Sequence, residues 1–173
     1  MYTASTFNSP LVSLLDHKVW ANEELFKSIA MIDVSRFSLL VHNATRILNH
    51  VYVVDQIFKA HLEGCTHPYT ATNTKETPSL SALGAAAKAT DDWYAAYVRT
   101  LLPSALQEPV RFVFTDGETG TMTREEMLLH VITHGGYHRG AAGQVMRDAE
   151  ATPPRDLYTR FLHVTEPERR ESL

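Results

Sequence analysis

The stretch TREEMLLHVITHGGYHRGAAGQVMRD, residues 123–148, decides how the chain is read. Thr123 followed three residues later by Glu126 is a capping box, so a helix starts here and runs to about Asp148, before the Pro153-Pro154 break. At about 100° per residue, with Met127 set at zero, Val145, Val131, Ala142, Leu128 and Met146 fall within one broad apolar arc. His138 lands at about 20°, inside that arc; His134 at about −20°, on its edge; and His130 at about −60°, further out. An i, i+4 pair turns both rings to one patch about 6 Å across, from which two imidazole nitrogens can reach one metal at about 2.0–2.1 Å. The angles therefore favour His134/His138 over the equally spaced His130/His134. The pair is not an HExxH motif, because Gly135 and Gly136 follow the first histidine. With Gly140 and Gly143, those glycines suggest a close approach by another helix.

Working outward, the same periodicity predicts three more long helices. Ser9-Pro10 reads as an N-cap with proline at the first helical position, and Leu11, Leu14, Leu15, Leu25, Phe26 and Ile29 continue a helix over about 10–30. Asn22 sits within that apolar stripe, either as a hydrogen-bonded core amide or as a group turned towards the site. A second helix spans about 35–63, with Leu40, Val41, Ala44, Ile47, Leu48, Val51, Val54 and Phe58 on its apolar side and Gly64 as a stop. Residues 64–78 are rich in turn formers and read as a loop. An alanine-rich helix follows over 79–102, carrying Trp93, Tyr94, Tyr97 and Val98 and closed by Pro103. Val110–Phe114 then changes period, and Asp116-Gly117 predicts a small hairpin returning at 119–122. Leu157, Phe161 and Leu162 are expected to pack a short terminal segment. Together these predict an all-α protein, a four-helix bundle with a small β-hairpin before the last long helix, in a single domain over residues 1–173.

Bulk composition agrees with that class. The chain has 173 residues, 44% of them apolar and 21% charged. Its net charge of −4 offers no basic surface for nucleic acid or an anionic membrane. The single cysteine, Cys65, excludes an internal disulfide. MYTASTFNSP carries neither a basic n-region nor an apolar h-region, so no signal peptide is expected, and no apolar run is long enough to span a membrane. The expected location is cytoplasmic.

There are nine histidines, and each needs a place. A third ligand has to come from another helix. His50 borders the apolar stripe of the second helix beside Ile47 and Val54, whereas His42 lies opposite and His61 is three turns away. His50 is thus the best-placed partner, its alternative being an ordinary boundary histidine. Arg139, at about 120° on the last helix, reads either as a contact for an anionic substrate group or as an arginine paired between helices. Tyr137 falls on the polar side and reads as a surface or interface residue. Cys65, in a loop beside His67, reads as incidental.

The segment His130-Val-Ile-Thr-His134-Gly-Gly-Tyr-His138-Arg-Gly140 closely resembles the closing signature of the DinB/YfiT-like family. Trp20-Ala21-Asn22, Leu48-Asn49-His50 and Thr152–Leu157 are similar to further elements of that family. The resemblance implies an antiparallel bundle, usually a homodimer, with one divalent metal held by His50, His134 and His138; His130 matches a position that is often histidine without being a ligand. Most family members have no assigned reaction; related bundles include S-transferases and isomerases that use small cellular thiols. Three neutral imidazoles leave a divalent ion an open position; zinc is the natural choice, and nickel or iron suit imidazole as well. Asn49, Asp55 and Asn22 are the candidates to orient the ligands from behind. The expected function is that of a metal-dependent enzyme, a small-thiol S-transferase or a hydrolase. The alternative is a non-catalytic metal- or ligand-binding stress-response module acting through its dimer surface.

Overall fold

The computed structural model describes residues 9–170. The reading of the first residues as free of a signal peptide falls on 1–8 and lies outside the described residues. The protein is mostly helical, with one small two-stranded antiparallel sheet. No helix among the described residues is long and apolar enough to cross a membrane.

Local sequence sets most element ends. Helix α1, Pro10–Ala30, starts at proline behind Ser9, whose hydroxyl accepts from the Leu11 amide. Helix α2, Val34–Glu63, is capped by Asp33 and bends at Phe37; it ends at Gly64, where φ is +69°, a left-handed value that favours glycine. Helix α3, Leu80–Thr100, begins one residue later than its sequence suggests because Ser79 serves as the cap, accepting from the Ala82 amide. One turn, α4 (Pro103–Leu106), leads into strands β1, Pro109–Val113, and β2, Thr119–Thr123. Helix α5, Arg124–Asp148, opens with both arms of the Thr123–Glu126 capping box formed. Helix α6, Tyr158–Thr165, buries Phe161 but leaves Leu157 exposed.

The long helices α1, α2, α3 and α5 each pack mainly on two of the others: α1 on α3 and α5, and α2 on α5 and α3. The hairpin lies over α2 and the start of α5, with the Phe112 ring buried. Gly120 faces Phe112 across the strands. A Cβ there would stand 2.9 Å from the rings of Phe112 and Phe114, so only glycine lets both rings lie over this position.

The core has two apolar halves. Leu11, Leu15, Val54, Phe58, Tyr94 and Val131 belong to one; Leu25, Ile29, Leu48, Leu83, Ala142 and Met146 belong to the other. Charge separates them. Lys18 of α1, Asp55 of α2, Asp91 of α3 and Arg139 of α5 are all buried. The Lys18 ammonium donates to Asp55 Oδ2 at 2.8 Å and also to Asp91 Oδ1. Asn22 donates to Asp91 Oδ2 at 2.7 Å and accepts from Arg139 Nη1 at 3.2 Å, so it is a bonded core amide. Burial opposes the charge on Lys18, but Asp55 and Asp91 outweigh it and hold the ammonium above its usual pKa. Burial pushes the Asp55 carboxyl up to about 6 against the pull of Lys18.

Removing one member of such a layer strands the rest in the core. Asp91→Ala is therefore expected to cost about 3–5 kcal/mol in urea unfolding. By contrast, Lys27→Ala, at an exposed pair with Glu23 and Glu24, should change stability by less than about 1 kcal/mol.

Candidate metal centre

Helix α5 presents His134 and His138 one turn apart, and α2 brings His50 against both. The ring centroids are 4.9 Å apart for His50–His134, 4.7 Å for His50–His138 and 4.5 Å for His134–His138. One nitrogen from each ring lies within 4.8 Å of the other two, and all three side chains are half-buried. His50 Nε2 and His134 Nε2 are 3.0 Å apart. Two nitrogens each about 2.0–2.1 Å from one ion stand about 2.9–3.4 Å apart at ordinary ligand angles. The donor set and its spacing fit a divalent metal.

His50 is aimed from behind. Its Nδ1–H donates to the Thr72 carbonyl at 2.7 Å, which leaves the Nε2 lone pair facing His134. That carbonyl belongs to the 64–78 loop, which folds back along α2. Asn49 donates to Asn73 Oδ1 and, at 2.6 Å, to Thr74 Oγ1. Asn73 donates to the Arg46 carbonyl at 3.2 Å, and Arg46 returns a bond to the Thr74 carbonyl at 3.2 Å. Of the candidates to orient the ligands, Asn49 acts through this loop, while Asp55 and Asn22 are committed to the charged layer.

The cluster favours neutral imidazole. Burial, then the neighbouring rings of His138, His50 and His130 and the charge of Lys18, drive His134 down to about 3. Burial and His50 lower His138 as well. Neutral rings are the form that ligates. His134 Nδ1 is buried with no partner among the described residues.

Two hollows flank the cluster. One, of about 260 Å³, is largely aromatic, with Phe58, Phe112 and Phe114 beside His50, His130 and His134. His130 is stacked between Phe58, at 4.4 Å, and His134, at 5.3 Å, and burial lowers its pKa. The other hollow, of about 370 Å³, is lined by His50 and His138 with Asn43, Arg46, Ile47 and Asn73.

The remaining candidates lie elsewhere. Arg139 donates its Nε to Asp156 at 2.7 Å and lines a separate cleft that none of the three histidines lines. Tyr137 is 76% exposed, and His42 and Cys65 are exposed. His61 borders the aromatic hollow with its ring 5.2 Å from His67. Sequence reasoning missed the Thr72 carbonyl, for which no side chain gives a signal. It also missed the hairpin as a wall, although Phe112 and Phe114 stand two residues apart, the spacing that turns side chains to one side of extended chain, and it missed Lys18, a lone charge on the buried side of α1.

The chain belongs to the DinB family, which its sequence matches over residues 1–171. No curated protein matches it.

The cluster predicts one tight divalent-metal site per chain. By elemental analysis and calorimetry, His50→Ala, His134→Ala and His138→Ala should each weaken binding by more than about a hundredfold, beyond the loss typical of outer partners. His42→Ala should bind as the wild type does.

Proposed function

We propose that this DinB-family protein is a metal-dependent enzyme acting on a small molecule at His50, His134 and His138. Its four long helices would form an antiparallel bundle in one domain over 1–173. A cytoplasmic homodimer completes the reading, on the strength of the family resemblance. The observation that carries it is that three imidazole donors converge on one point at the wall between two hollows. When bound, a divalent ion supplies Lewis acidity there and a coordination position open to a small molecule; zinc, nickel and iron all suit the donors.

The chain's own residues supply the remainder. Phe58, Phe112 and Phe114 offer an apolar seat that excludes water beside the cluster. Arg46 places a positive charge on the opposite rim. Neither hollow has an aspartate or glutamate in its lining. A bound divalent ion would lower the pKa of its water towards about 7, and His61 and His130 border the aromatic hollow, so the lining serves hydrolysis as well as S-transfer. A thiol, with a pKa near about 8.5, releases its own proton without a placed base, and the thiol chemistry of related bundles puts S-transfer first. In that reaction the thiol sulfur bonds to an electrophilic carbon, the leaving group departs with the electron pair, and the thiol proton passes to solvent.

The test is turnover by metal-free protein reloaded with zinc, nickel or ferrous iron, using small thiols with an aromatic electrophile and, separately, aromatic esters. Metal-dependent product is expected, absent from His138→Ala. Phe112→Ala should raise KM about tenfold or more through lost apolar contact. Stoichiometric metal without turnover of any thiol or ester would instead identify a non-catalytic binding module.

A further inference from the structure

We propose that the cleft between α1, α5 and residues 153–157 is a second binding site, which takes a small organic dianion through Arg139, Arg147 and Arg155. The cleft has a volume of about 450 Å³ and includes none of the three clustered histidines. That is within the range of small-molecule sites. The only carboxylate in its lining is Asp156, which already serves Arg139 Nε at 2.7 Å and stands 3.1 Å from His17 Nε2. Arg147 and Arg155 have no ion-pair partner among the described residues. Three guanidinium groups against one carboxylate leave the cleft positively charged.

Arg139 gives it a fixed donor. This side chain is 6% exposed, with Nε held by Asp156 and Nη1 by Asn22. Its Nη2 makes no hydrogen bond among the described residues and the side chain lines the cleft, which leaves this group for a ligand in that space. That space lies over Gly136, where a Cβ would stand 3.7 Å from Nη2. A preset guanidinium with a free N–H is suited to a phosphate or carboxylate oxygen, and Arg147 and Arg155 can close on the same group.

The glycines give independent support. Gly136, Gly140 and Gly143 occupy successive turns of α5 along the floor of the cleft. A Cβ at Gly143 would stand 3.4 Å from Pro153, so packing there is already close. At Gly140 a Cβ would meet nothing within 4 Å. A glycine in a helix interior weakens the helix, and no neighbour at Gly140 accounts for it. What its missing side chain provides is room in the cleft. Leu25, Pro153, Pro154 and Leu157 add apolar walls, so the fitting ligand has an apolar body as well as its charge. A phosphomonoester and a dicarboxylate share this chemistry.

The test is calorimetric titration of the full chain with phenyl phosphate and with phthalate, with and without zinc. Saturable one-to-one binding of at least one probe is expected, and it should persist in His138→Ala, which separates this cleft from the histidine centre. Gly140→Leu, whose Cβ would meet nothing within 4 Å and whose side chain would occupy the floor, should weaken binding at least tenfold. Arg147→Gln and Arg155→Gln, at exposed positions that leave the fold intact, should each weaken it about tenfold. Tighter binding of phenyl phosphate identifies a phosphomonoester site, and tighter binding of phthalate a dicarboxylate site. No saturation by either probe up to about 10 mM, weaker than the roughly millimolar end of the binding scale, overturns the proposal. So does binding that all three cleft variants leave unchanged.

Discussion

A fully buried lysine ammonium held between two buried aspartates is the constraint on which the rest of the structure depends. Lys18, Asp55 and Asp91 come from α1, α2 and α3, and Asn22 carries the network on to Arg139 of α5 and from there to Asp156. Apolar packing alone tolerates sliding of one helix along another. A buried charge does not, because a shift of one turn would leave it unpaired in a medium that cannot solvate it. The layer thereby fixes the heights of the long helices and divides the apolar core in two.

The histidines sit at that same height. Gly135, beside His134, is buried against Lys18: a Cβ there would lie 3.3 Å from Lys18 Cε, and the missing side chain lets α5 approach α1. The neighbouring side of α5 carries His134 and His138 to His50 on α2. Lys18 also contributes to keeping His134 neutral, after burial and the neighbouring rings. The charged layer thus serves the site twice, through position and through field. The 64–78 loop does a different job: it turns the ring of His50 through one carbonyl, and it is itself held by the α2 residues Arg46 and Asn49.

Much of this was legible in the sequence because it rests on local rules. Ser9-Pro10, the Thr123–Glu126 box and Gly64 mark helix ends by chemistry confined to a few residues, and Asp116-Gly117 marks the hairpin in the same way. The angular position of His138 on α5 and the border position of His50 on α2 were enough to bring the three rings together. Bonds between distant segments left no such mark. Lys18, Asp55 and Asp91 are single charges on otherwise apolar faces, and only their coincidence at one height explains any of them. The signal was available: three separate stripes each broken once by a charge whose partners had to be one another. Thr72 acts through its backbone, so its identity says nothing. Arg139 lay on the buried side as the helix angles required, but the angles could not show that Asp156 and Asn22 bind it.

The charged layer and the helices it aligns set three imidazoles at metal-binding distance from one point. The measurement that tests this placement most directly is X-ray absorption at the metal edge of zinc-loaded protein. The expected spectrum has three imidazole ligands, counted by their outer-ring scattering, at about 2.0–2.1 Å, with one further nitrogen or oxygen scatterer at the remaining position. A shell dominated by oxygen, or one with fewer than three imidazoles, would contradict it.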